Sequence, residues 1–304
     1  MTKSSAMVEC LTSVGENVEE VVDEEEVVEE ASVLIDKLKQ YFNDYPKLIK
    51  VMLAGRLLRR RQNCKKCQRV MKMRRRKDTY EWRCRFKKSY DCSSCSIKYG
   101  SWFENTKLPF NTIFRYLLMH CSSRPSVQIM KELNITSHTV IELRKVIYEL
   151  SSRICQKYPK IGGRGQECYV EEIEVNTKKN SSKHSMDQTF RVLAGQMSNS
   201  NQCFIRVLNG NSLSDVEKAK WDYIADGTLI TTVTTVNDCQ ISINPDSTTT
   251  SRIIKIFNSL RKPVTESSTL TPKLLQDYMD DLVVQQIEQN NYLNACIDEI
   301  RAYV

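Results

Sequence analysis

The sequence predicts a multidomain α+β protein: a cysteine-clamped ribbon near the N-terminus, a helix-turn-helix-like segment behind it, and an α/β domain after that. Three observations lead there. Five of the 12 cysteines fall between Cys64 and Cys95. From Leu108 to Cys155 apolar residues recur at helical spacing. After "YPKIGGRGQE", a linker holding Pro159, Gly162, Gly163 and Gly165, the pattern switches to the period-two alternation of strands.

Charge divides the chain further. The 304 residues carry a net +8, spread unevenly. Residues 1–30 hold ten acids and one lysine and are expected to be an acidic, disordered tail. Residues 51–110 hold 18 cations against four acids, a local +14. That asymmetry points to a region that binds a polyanion. No apolar run approaches the roughly 18 residues that cross a bilayer, and the first twenty residues lack a signal-peptide pattern. The expectation is a protein of the nucleus or cytosol with no membrane partner. Thiols stay reduced there, so clustered cysteines point to metal rather than to disulfides.

In order along the chain, residues 31–62 form a helical lead-in. Val33, Leu34, Leu38, Tyr41 and Phe42 mark a helix over 31–42, and Pro46 opens a second over 46–58. Residues 63–107 form the ribbon, with strand-like pieces at 69–74 and 79–85. Residues 108–158 are helical. Pro109 and Asn111 start one helix. Ser126 caps a second ending near Leu133, Asn134 and Ile135 turn the chain, and Ser137 caps a longer third. Residues 166–263 predict strands at 167–175, 189–197 and 201–209, a helix at 212–224, strands at 227–236 and 239–244, and a helix at 247–262. This βββαββα order matches the RNase H-like α/β layout. Residues 270–304 close the chain with acidic amphipathic helices.

The ribbon carries the clearest chemistry. Cys64-x2-Cys67 and Cys92-x2-Cys95 are knuckles, each able to present two thiolates to one tetrahedral ion. Cys84, 17 residues after Cys67, competes as a third ligand. Either the two knuckles close the site, or Cys84 joins with one of the later pair. So basic a segment cannot fold on apolar burial alone, and a structural Zn2+ supplies the missing stability.

The stretch "YEWRC" followed by "CSIKYGSWFENTKLPFNTIFRYLLM" resembles the N-terminal part of Merlin-type and ISXO-like DDE transposases. The match runs through Ser96, Ile97, Lys98, Gly100, Ser101, Trp102, Phe103, Glu104, Lys107, Leu108 and Pro109. It covers roughly residues 60–262, sharply in the first third. By this resemblance the zinc ligands are Cys64, Cys67, Cys84 and Cys92, with Cys95 as the alternative to Cys92. The family also implies an RNase H-like domain that holds two metal ions on three carboxylates. Here those positions are Glu174, Val233 and Ile254, so two of the three acids are absent. No acid lies between Gly227 and Asn237, or between Ser247 and Val264. No Mg2+ is therefore expected.

The expected function is a domesticated, catalytically inactive transposase derivative that binds double-stranded DNA, possible also as a homodimer. Arg59, Arg60, Arg61, Arg74, Arg75, Arg76, Lys77, Lys87 and Lys88 would contact phosphates, which gives affinity rather than sequence choice. The helix from His138 to Leu150, with Arg144 and Lys145 exposed, would face bases. Two alternatives stand beside it: an active transposase with a rearranged site on Glu174 plus Asp238 or Asp246, and a zinc-stapled protein-interaction module.

Overall fold

The computed structural model of the chain describes residues 29–76, 79–86, 90–177, 188–208, 210, 212–233 and 271–304. The chain divides into two compact units, Met1–Asn105 and Thr106–Tyr303. The lead-in helices thus belong with the ribbon. The helices expected over 108–158 share one unit with the sheet that follows and with the C-terminal helices.

In the first unit, α1 (Ala31–Gln40) buries Ala31, Leu34, Ile35 and Leu38, one face of a 3.6-residue period. Asp44 starts α2 (Tyr45–Ala54) by accepting the Lys47 amide at 3.1 Å. α2 stops at Gly55 rather than running on to Leu58. Leu34 lies so close there that a Cβ on Gly55 would sit 2.6 Å from its methyl groups. Arg60 then closes the helix end, its guanidinium donating to the carbonyls of Leu53 at 3.0 Å and Ala54 at 2.7 Å.

β1 (Lys72–Arg76), β2 (Thr79–Phe86) and β3 (Tyr90–Ser96) follow as an antiparallel sheet in that order. The first strand starts three residues later than its β-propensity suggested. Residues 64–70 are held in a knuckle, where the Gln68 amide donates to the Cys64 carbonyl and the Cys64 amide to the Arg69 carbonyl. β3, "YDCSSCS", has few strand-forming residues and is a strand because β2 pairs with it. The turn after it explains much of the "SIKYGSWF" motif. Ile97 and Phe103 are buried, and the Ser101 hydroxyl donates to the Lys98 carbonyl at 2.6 Å. Gly100 has φ +68 and lies against the Arg59 guanidinium, where a side chain would not fit.

In the second unit, α3 (Phe110–Cys121), α4 (Ser126–Leu133) and α5 (Ser137–Cys155) are helices, with Asn134 left-handed between the last two. The caps differ by one residue from expectation. Pro125 precedes α4, and Thr136, not Ser137, caps α5 by accepting the Thr139 amide. β4 (Glu167–Thr177), β5 (Gln188–Met197), β6 (Cys203–Val207) and β7 (Leu229–Val233) form a sheet of order β6-β5-β4-β7. β4, β5 and β6 are antiparallel neighbours, while β7 runs parallel to β4 after α6 (Leu213–Tyr223). The fifth strand and the helix expected over 247–262 lie outside the described residues.

The sheet is covered on both faces. Val192, Ala194, Cys203 and Ile205 pack with Leu275, Met279 and Val283 of α7 (Pro272–Glu288). Cys168, Val170, Leu193 and Phe204 pack with Val216 and Ala219 of α6. β6 is an edge, and the Gln276 side chain covers it like another strand. It accepts the Val207 amide at 2.8 Å and donates to the Ile205 carbonyl at 2.9 Å.

One buried polar network joins the helices. Asp281 of α7 is 1% exposed. It accepts from Ser151 of α5 at 2.8 Å, from Gln285 at 2.7 Å and from the Tyr292 hydroxyl at the start of α8 (Tyr292–Arg301). His120 Nε2 of α3 lies 3.2 Å from its Oδ2. Burial pushes the Asp281 carboxyl up, but His120 and the two hydroxyls outweigh it and hold it below the usual carboxylate value. No helix of the described residues is long and apolar enough to cross a membrane.

Candidate metal centre

Four cysteine sulfurs, those of Cys64, Cys67, Cys84 and Cys92, lie within 4.8 Å of one another. The Cys64–Cys92 pair is 3.7 Å apart and the Cys67–Cys84 pair 3.4 Å. Four thiolates about 2.3 Å from one tetrahedral ion would stand about 3.8 Å apart. The cluster lies close to the spacing that one metal ion requires.

Three local devices bring the sulfurs together. The knuckle supplies Cys64 and Cys67, closed by Gln68 at φ +58. β2 carries Cys84 on the same face as Trp82, two residues earlier. A β-bulge supplies the fourth. Cys84 pairs with Ser93 and Arg85 with Asp91, so Cys92 is the extra residue between them. Such a bulge re-aims its side chain. Of the two fourth ligands left open, the structure groups Cys92. Cys95 pairs with Trp82 further along the strand, half-buried against the same small core, outside the sulfur cluster.

The surroundings suit thiolates. The Ser93 hydroxyl, 2.9 Å from Cys64 Sγ, leads the contacts that hold this thiol down at about 6, helped by the Lys66 and Cys67 amides. The Arg69 guanidinium, 3.4 Å from Cys67 Sγ, holds that thiol down as well. Burial pushes Cys84 up to about 12, and a hydrogen bond to Cys64 raises Cys92. A dication bound here would displace whatever protons the four thiols hold. Met71, Trp82 and Met73 wall the cluster, so it is shielded on its apolar side.

The basic residues expected to touch DNA separate into groups. Arg59 is turned inward against Gly100, its Nε buried, and Arg60 ties down α2. Neither presents its charge outward as expected of a solvent-facing run. Arg61 is exposed. Arg74, Arg75 and Arg76 are all exposed on β1, but strand alternation sends Arg75 to the opposite face from its neighbours. Lys77, Lys87 and Lys88 lie outside the described residues. On α5, Arg144 is not exposed as expected. It is half-buried and donates to Ser126 of α4, so it fastens the two helices together. Lys145 is exposed beside Glu142 at 2.9 Å. Lys72, Arg83 and Arg85 escaped the sequence reading because they stand singly; the strand register is the signal that gathers them.

Of the three acid positions, Glu174 and Val233 lie in the described residues and are not paired with each other. Val233, the last residue of β7, pairs with Glu171 rather than with Glu174. Glu174 sits three residues further along β4, exposed and opposite Arg191. Glu171 is 5% exposed. Glu172 is exposed and bonded to Arg191 at 2.6 Å. Ile254, Asp238 and Asp246 lie outside the described residues. Compared with known proteins, the chain matches no protein-family model, no curated protein and no solved structure.

Proposed function

We propose that this chain is a zinc-stapled, double-stranded-DNA-binding protein derived from a DDE transposase and without its catalysis. The observation that carries the reading is the convergence of four cysteine sulfurs inside the most basic part of the chain. An all-thiolate tetrahedral set favours zinc among common ions. Four protein ligands complete a tetrahedral zinc shell, so the ion acts as a structural staple. Cys64, Cys67, Cys84 and Cys92 would hold it, and its binding energy would fold a segment whose charges repel.

The transposase origin rests on the motif resemblance and is supported by topology. Three antiparallel strands, a helix, and a fourth strand parallel to the first follow the strand order that an RNase H-like domain requires. Loss of catalysis rests on the missing acids after β7 and across residues 247–264. A hard metal ion needs oxygen ligands, and Val233 and Ile254 supply none.

The test is duplex affinity of the purified protein across salt. A protein that neutralises several phosphates loses roughly a thousandfold or more in affinity between about 50 and about 200 mM salt. Binding that ignores salt, or no binding, refutes the reading. Metal-dependent nicking abolished by Glu174→Ala would instead favour an active enzyme.

A further inference from the structure

The sheet of the first unit has two unlike faces. On one, Met73, Trp82 and Cys84 meet the metal cluster. Alternation puts Lys72, Arg74 and Arg76 of β1 on the other, together with Arg83 and Arg85 of β2. Lys72 stands directly opposite Arg83 in the register.

Two acids share the face in the register. Glu81 is engaged with Arg76 at 3.2 Å and Arg83 at 3.8 Å, and Asp91 stands opposite Arg85. Among the described residues, five cations stand against two acids on this face, a net positive charge. β3 adds the exposed hydroxyls of Ser94 and Ser96 on the same side. Guanidinium, ammonium and hydroxyl groups are the donors that hold phosphate oxygens. β1 spans about 15 Å, and duplex DNA presents one charge for about every 1.7 Å of its axis. Several phosphates therefore fall within reach of this face.

We infer that this face, opposite the cysteine cluster, is where the phosphate backbone of duplex DNA docks. The inference rests on the DNA-binding reading above and goes beyond it by naming the surface. The metal then acts at a distance: it fixes the register that assembles the cations and touches no nucleic acid. The basic run of β1 is thereby divided, with Arg74 and Arg76 in the interface and Arg75 outside it.

The experiment compares the full chain with Arg74→Gln, Arg76→Gln and Arg75→Gln, using a labelled duplex at several salt concentrations between about 50 and about 200 mM. All three changes remove one charge from exposed positions of one strand. Arg74→Gln and Arg76→Gln should each lower the salt slope by about 1 and weaken binding about tenfold near 0.1 M salt. Arg75→Gln should leave the slope unchanged, and Arg74→Lys should restore it. Metal content of each variant guards against misfolding. Equal losses in all three variants would mean that net charge, not this face, binds DNA, and would overturn the inference. A wild-type protein that binds with salt dependence while no variant alters the slope would overturn it too, leaving the DNA reading intact. A wild-type protein that binds no duplex would end both.

Discussion

Cys92 and Cys95 show how much depends on one residue. Both belong to a C-x2-C knuckle, and spacing alone makes them equal. The bulge at Cys92 breaks that tie, because it turns this thiol and not Cys95 toward the other three. Cys92→Ser should therefore weaken zinc by well over 100-fold, since loss of an outer-shell contact alone costs about 10–100-fold. Cys95→Ser should retain one zinc per chain. Metal analysis after dialysis against a weak chelator reads both, and zinc retained by Cys92→Ser would disprove the ligand set. The knuckle at Cys64 was legible in the sequence because a tight turn is a local matter. The fourth ligand was legible only through the family resemblance, which put Cys92 first; spacing does not find it, because a bulge depends on how two strands pair. The arginines divide likewise. Arg59 and Arg60 resemble solvent-facing charge in the sequence, yet one packs on a glycine and the other closes a helix.

At the level of elements, helices were legible and their partners were not. The periods that place α1, α3 and α5 are strong, and the observed spans lie within a few residues of them. "DYMDDL" in α7 reads as a solvated acidic face, yet Asp281 lies at the meeting point of α3, α5, α7 and α8. Nothing local distinguishes it from Asp280. Only the arrival of Ser151, Tyr292 and His120 from distant positions does. Asp281→Ala should lower stability by about 3 kcal/mol, because it leaves several buried donors without an acceptor. Since the Asp281 carboxyl is held below its ordinary 3.8, its contribution is fully present above that value. It is lost as pH falls through the lowered one. Acid unfolding of the wild type should therefore include a phase below about pH 4 that Asp281→Asn lacks. Urea melts at pH 7 and pH 3 test this, and an equal loss of stability in both proteins on acidification would refute it.

For the whole molecule, the α+β class was legible, as were the switch from helices to strands across the glycine-rich linker and the order of the first strands. The grouping into two units was not. The helix-turn-helix-like segment shares its core with the C-terminal helices, joined by contacts more than a hundred residues apart in sequence. Spacing patterns do not encode such contacts. The central claim is that zinc organises a basic surface for DNA. The most direct measurement is duplex affinity of the full chain before and after zinc is removed by a chelator, at about 50 and about 200 mM salt. The account predicts steep salt dependence in the zinc-loaded protein, loss of most affinity without zinc, and recovery when zinc is returned. Affinity that survives complete zinc removal with an unchanged salt slope would contradict it.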